Sequence, residues 1–370
     1  MNIVVFGLSI SSAWGNGHAT LLRGLFRALH LRGHQIDFFE RDTPYYSSHR
    51  DATSFEFANL HLYSDWSQNL AEARRALANA DAGVITSYCP DGIAACDVVL
   101  NARLKRTVFY DMDTPVTLGR LEKGEVVPYI PNEGLAGFDL VLSYTGGESL
   151  QQLRERLNAR CVCPLYGWVD SDMYYRVKPA DQFAADLSYL GTYSSDRQTA
   201  LEELLIVPAQ RLPHSKFVIG GAMYPNPQNW PGNIRYFEHV SPEEHRAFYS
   251  SSPLTLNVTR GSMAAMGYCP SGRLFEAAAC GTAVLSDWWA GLDTFFQPGE
   301  EILLATSTID AISALGSDRA LLTQIGNRAK ERALSCHSAE IRAQRFIDLI
   351  ETPRDEAGAA RSEALTAEGY

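Results

Sequence analysis

SGRLFEAAACGTAVLSDWWAGLDTFFQPGEEILLA, residues 271–305, packs a helix start, a glycine stop and two strand-like runs into one stretch. Ser271 stands where an N-cap belongs, Leu274 and Phe275 open an apolar face, and Gly281 is the expected stop. TAVLSD then reads as a strand, and a helix that hands over at once to a buried strand is the repeating step of an α/β fold. The helix carries an oddity. Arg273 lies in its first turn, where free N–H groups already concentrate positive charge, and Glu276 follows one turn on along the same face. An anion at the helix start resolves the conflict. Phosphate accepts from first-turn N–H groups, Gly272 lets it approach the backbone, and an arginine adds a charge-assisted contact worth about 1.5–3 kcal/mol. Glu276, one turn deeper, is then placed to accept hydrogen bonds from ligand hydroxyls, as a carboxylate does with a ribose. Phosphate beside sugar hydroxyls describes a nucleotide. The alternative is a weak surface pair between Arg273 and Glu276, against which the apolar run Ala277 to Cys280 argues for a buried helix.

The same alternation extends in both directions. IVVFGL, QIDFF, AGVIT, RTVFY, FDLVLSY and CVCPLY are strand candidates in the first half, separated by amphipathic stretches such as HATLLRGLFRALHLRG. After a polar stretch at 166–186 come LSYLG, KFVIGG, IRYFEHV, PLTLNV, TAVLSD and EILLA, with helices expected near Ser195–Leu205, Pro242–Ser250 and Gly272–Cys280. The fold expected is α/β: two Rossmann-like, doubly wound domains facing each other across a cleft, with ligands at the C-terminal edges of the strands. Residues 1–170 form the first domain and 171–336 the second. Residues 337–352 form a helix that packs back toward the first domain, and 353–370 a polar tail.

Composition narrows the partners. The 370 residues carry a net charge of −11 and no stripe of Lys or Arg, which argues against nucleic acid. MNIVVFGLSI has no charged leader region and reads as a first strand, and no apolar run is long enough for a membrane span. Seven cysteines without a CxxC suit reduced thiols and a cytoplasmic protein.

With DLSYLGTYSSDRQ (186–198), LNVTR (256–260) and YDMDTPVTL (110–118), the 271–305 block resembles the CgeB-like (spore maturation protein) glycosyltransferases, related to the retaining family 4 enzymes of the GT-B fold. The resemblance implies a transferase that moves a sugar from a nucleoside diphosphate donor, such as a UDP-sugar, to a small-molecule or glycan acceptor. It implies retention, no metal and no cofactor beyond the donor. In that wider group an E-x7-E motif ends in a ribose-binding glutamate, and Glu276 matches it; the first glutamate is replaced by Tyr268. Arg197, Arg273 and Arg260 are the candidates for holding the diphosphate. Ser271 and Gly272 would meet it at the helix start.

In the first domain, SAWGNGHATLL (12–22) follows strand one and opens a helix. Gly15 and Gly17 are expected near the donor phosphates, and Trp14 near the acceptor. His18 and Asp113 join Arg197 and Arg273 as catalytic candidates. A dinucleotide site, helped by Glu40 at the end of strand two, competes here, but only G-x-G is present and the turn from Gly7 to Gly15 is too long. Asp111 and Asp113 could be read as a D-x-D metal pair; a role toward acceptor hydroxyls fits the resemblance better. Tyr144 and Thr145, after another strand, are also expected on the acceptor side. Two further readings stay open: a nucleotide-sugar-binding protein without transfer, for which Tyr268 is the argument, and an epimerase or hydrolase on the same scaffold.

Overall fold

The β-branched and aromatic runs become the strands of two all-parallel sheets. The structure, a computed structural model, describes residues 1–352, and the expected polar tail at 353–370 lies outside them. The chain divides into one unit of Met1–Tyr166 with the segment from Ala339 onward, and a second of Gly167–Ser338. The division thus falls after Tyr166, in place of residue 170, and Val169 pairs with Ser338 in a bridge where the chain enters and leaves the second unit.

In the first unit seven strands run β1 (Asn2–Gly7), β2 (Gln35–Arg41), β3 (Asn59–Tyr63), β4 (Ala82–Thr86), β5 (Arg106–Asp111), β6 (Leu140–Ser143) and β7 (Val162–Pro164). Their spatial order is β3-β2-β1-β4-β5-β6-β7, so the direction of winding reverses between β1 and β4. Central strands are buried on both faces; Ile3 and Val5 on one side of β1 and Val4 and Phe6 on the other lie in the core, as helices on both sides of a parallel sheet require. Helix α1 (Gly17–Leu31) buries Leu22, Leu25, Phe26 and Leu29 along one stripe.

The second unit has β8 (Leu187–Leu190), β9 (Phe217–Gly220), β10 (Ile234–Phe237), β11 (Leu254–Asn257), β12 (Ala283–Ser286) and β13 (Leu303–Leu304), ordered β10-β9-β8-β11-β12-β13. Here the reversal lies between β8 and β11. Helix α2 (Ser195–Leu201) runs on through a wider turn at Glu202–Ile206 to Arg211, beyond the expected end at Leu205. Helices α3 (His245–Ser250), α4 (Gly272–Ala279) and α5 (Arg319–Cys336) follow, and α4 packs on both α5 and β12. Helix α6 (Ala339–Glu351) belongs to the first unit. It lies on α1, and Arg106 of β5 donates to the Ile350 carbonyl at 2.9 Å. Among the described residues no helix is long and apolar enough to cross a membrane.

Candidate functional site

In open parallel sheets a ligand site forms where the winding reverses, because loops leaving in opposite directions open a crevice at the strand ends. In the second unit Arg273 occupies that point. Its Nε donates to the carbonyl of Leu190, the last residue of β8, and its Nη1 to Asn257 Oδ1, the last residue of β11, at 3.0 Å. The guanidinium lies over the Tyr189 ring, 5.1 Å from the centroid. Asn257 is itself fully buried and fixed by Ser286 Oγ (2.9 Å) and Thr259 Oγ1 (3.2 Å). A side chain at Gly191 would have no room: its Cβ would stand 2.7 Å from an Arg273 nitrogen and 2.9 Å from the Tyr189 hydroxyl. Glycine here is a condition for the arginine's position.

Arg197 and Arg260 reach the same neighbourhood. Arg197, in the first turn of α2, donates to the Thr192 carbonyl, while its buried Nε has no hydrogen-bond partner. Burial lowers its pKa, and the Arg273 and Arg260 charges add to that effect. Arg260 pairs with Asp196 at 3.4 Å, and Asp196 also accepts from the Gly261 N–H at 3.0 Å. The three cations lie within electrostatic reach of one another, with a direct carboxylate pair on Arg260, an arrangement chemically suited to an anion of more than one charge.

Helix α4 begins at Gly272, with Ser271 in the N-cap backbone position; the Ser271 side chain makes no capping bond. From this helix Glu276 accepts from Tyr249 Oη at 3.2 Å through Oε2, while Oε1 lies toward the helix start, 3.9 Å from where a Cβ on Gly272 would stand. Against the lowering effect of burial, the carboxylate charge helps to raise the Arg273 pKa. Tyr268, where a first glutamate was expected, has φ +46° and donates its N–H to the Ala290 carbonyl at 2.7 Å. Its ring lies against Gly291, whose Cβ would stand 2.4 Å from it. The tryptophan pair divides: Trp288 is exposed and Trp289 buried.

In the first unit, Glu40 organises the loop after β1. It is 0% exposed and accepts from Ser9 Oγ (2.8 Å), Ile10 N (2.7 Å), Ser11 N (3.0 Å) and Ser11 Oγ (2.5 Å). The carboxylate that helped the dinucleotide reading is therefore spent on two N–H groups and two hydroxyls of the protein's own loop. Asn16 caps α1 by accepting from Ala19 N, and its amide donates to Ser9 and Ser12 carbonyls. Gly15 has φ +59°, Gly17 is exposed at the helix start, and Trp14, 41% exposed, stacks on His49 at 4.9 Å.

His18 lies at the reversal point of this sheet, its ring 5.7 Å from that of Tyr88, which follows β4 with φ +62°. Burial lowers its pKa, Asp113 opposes that, and Nδ1 has no hydrogen-bond partner. Asp113 is partly buried, whereas Asp111 exposes nothing. Burial pushes the Asp111 carboxyl up to about 7, against the smaller opposing effect of the Asp113 N–H, which donates to it at 3.1 Å. Thr145 is also fully buried and Tyr144 nearly so. A direct contact from Asp111, Tyr144 or Thr145 to an acceptor would need these loops to open.

The sequence reading did not single out Tyr189, Gly191, Asn257, Tyr249 or Tyr174. A polar Asn closing the apolar run LTLN was the one available signal.

A family model described as Glycosyl transferase-like matches residues 197–348. A search of curated proteins returns no match. Among solved structures, sucrose-phosphate synthase from Thermosynechococcus elongatus shares 16% identity at TM-score 0.68, covering 94% of this chain and 98% of that one. Anabaena HepE in complex with UDP and glucose shares 12% at TM-score 0.64, covering 95% and 100%. An alpha-glucosyltransferase in complex with UDP and a 13-mer DNA containing an HMU base shares 15% at TM-score 0.65, covering 95% and 99%. At such identities the likeness is one of fold: two Rossmann-like domains, GT-B.

Proposed function

We propose that the chain is a glycosyltransferase that moves a sugar from a nucleoside diphosphate donor to an acceptor nucleophile. The observation that carries this reading is the convergence of Arg197, Arg260 and Arg273 with the start of α4 at the reversal point of the second sheet, one helical turn from Glu276. Arginines and first-turn N–H groups suit a diphosphate, and a carboxylate at that distance suits a ribose. The family model over 197–348 and the UDP and glucose bound in HepE point the same way.

As the glycosidic bond breaks, negative charge grows on the departing diphosphate. Arg197, Arg273 and the helix start would stabilise that charge more than they stabilise the ground state, which is how preorganised cations accelerate a reaction. Glu276 would fix the nucleoside, with Ser271, Gly272 and Tyr268 beside it. The first unit would supply the acceptor side, with Trp14, His18 and Asp113 as its contacts, and Gly15 and Gly17 letting the loop after β1 approach the phosphates. We infer retention at the anomeric carbon, same-face attack in which the departing phosphate takes the acceptor proton, and a diphosphate handled by arginines without metal.

Titration calorimetry with UDP, GDP, TDP and their sugar conjugates tests the donor site. One nucleoside diphosphate binds selectively, and Glu276→Ala weakens it by at least about 1 kcal/mol, roughly fivefold. Binding that ignores the substitution removes Glu276 from the site. Tyr268 in place of an acidic residue favours a second reading, a binding protein without transfer. Product analysis with and without acceptors separates the two, and that reading predicts binding without turnover throughout.

A further inference from the structure

A carboxylate selects hydroxyls only when its oxygens are held in place, and the surroundings of Glu276 supply that hold. Tyr249, on α3 and 1% exposed, donates to Glu276 Oε2 at 3.2 Å. Oε1 lies 3.9 Å from where a Cβ on Gly272 would stand, at the start of α4. A second buried tyrosine, Tyr174, touches the same group, with its hydroxyl 3.2 Å from His245 Nδ1.

The proton count assigns these bonds. His245 Nε2 lies 3.2 Å from the Val240 carbonyl, which only accepts, so Nε2 carries the hydrogen. Burial lowers the His245 pKa, against a raising effect of the Glu276 charge, and the ring is neutral near pH 7. Nδ1 then holds a lone pair and accepts the single Tyr174 proton. Tyr249 donates to Glu276 Oε2, and Tyr174 lies beside the same carboxylate. The phenols stay protonated, since burial and the Glu276 charge hold both pKa values well above the usual tyrosine range.

We propose that Tyr249 is a positioning residue: by engaging Oε2 it turns Oε1 toward the start of α4, where it reads the 2′ and 3′ hydroxyls and selects a ribonucleoside over a deoxyribonucleoside diphosphate. This rests on the donor site and the ribose contact proposed above and adds to them the residue that holds the carboxylate in place.

The test is calorimetric titration of UDP, GDP and ADP, each beside its 2′,3′-dideoxy analogue, on wild type, Tyr249→Phe and Tyr174→Phe. Wild type prefers its best ribonucleotide over the dideoxy form by about tenfold or more, as expected for hydrogen bonds to a charged acceptor. Tyr249→Phe lowers that ratio to roughly threefold or less, chiefly by weakening the ribo form, and Tyr174→Phe leaves it within about twofold. A merely structural tyrosine would weaken both forms together, so an unchanged ratio in Tyr249→Phe overturns the proposal while leaving the donor site standing. Equal binding of both forms to wild type also overturns it. No binding of any nucleotide overturns it together with the donor site. If Tyr249→Phe does not fold, Thr282→Val serves, because Thr282 Oγ1 tethers the Tyr249 carbonyl at 2.7 Å. A fall in the ratio by about half or more supports the proposal and an unchanged ratio overturns it.

Discussion

Replacing Asp111 by asparagine should change how the stability of the first unit depends on pH. The carboxyl is fully buried, and its pKa rises from 3.8 in the unfolded chain to about 7 in the native one. Between those values the native protein keeps a proton that the unfolded chain has released. Stability therefore falls as pH rises through this window, by about 1.4 kcal/mol per pH unit, and levels off above the native pKa. The full span, 7 minus 3.8, amounts to about 4 kcal/mol, of which roughly 2–3 kcal/mol is lost between pH 5 and pH 7. Asparagine has the same shape and no proton to lose, so Asp111→Asn lacks this term. The assay is urea unfolding of both proteins at pH 5, 6, 7 and 8, following the transition that contains the first unit. The stability of wild type relative to Asp111→Asn declines by about 2–3 kcal/mol from pH 5 to pH 7 and is flat from about pH 8. Parallel curves across the whole range would refute the reasoning, because burial would then be costing the charged carboxylate nothing.

Two further substitutions probe the loops at the strand ends. Gly191→Ala would push its Cβ against Arg273 and Tyr189, dislodging the guanidinium from Leu190 and Asn257; nucleoside diphosphate affinity should drop about tenfold, and unaltered affinity would show that Arg273 has no part in binding. Glu40→Gln would turn an amide NH2 toward donors that need an acceptor. The expected cost is about 2 kcal/mol, with faster hydrogen exchange at the Ile10 and Ser11 amides, and unchanged exchange there would mean that the loop holds without Glu40.

Elements with period and propensity on their side were legible in the sequence. Strands such as AGVIT and LTLN are buried on both faces and announce themselves as short apolar runs. Edge strand β3, NLHLY, escaped because only Tyr63 is fully buried, the polar Asn59 and His61 share its face, and Leu62 is exposed. Helix α5 escaped too, since its buried residues Leu322, Ile325, Gly326, Ala329 and Ala333 are mostly small and set among charged and polar ones. Arg273 and Glu276 could be found because they conflict with their own helix, one by charge in the first turn and the other by polarity in an Ala-rich segment. Their supports could not. Tyr189, Asn257 and Tyr249 are ordinary strand and helix residues until the parallel pairing of β8 with β11 and the packing of α3 against α4 bring them to one place. Glu40 was visible only as a support for the dinucleotide reading that the long glycine turn argued against, because sequence shows that a carboxylate ends β2 and not which hydrogen bonds it has already made.

The first unit is built from both ends of the chain. Helix α6, with Ala343, Phe346, Ile347 and Ile350 buried, begins only after the whole of Gly167–Ser338 has been laid down. During synthesis the second unit, contiguous in sequence, has all its described strands outside the ribosome before helix α6 of the first unit has emerged. The usual N-to-C order of domain completion is thereby inverted. Until then the surface of α1 that α6 covers stays open, and a chain cut at Ser338 would keep it so, complete in its second half and unfinished in its first.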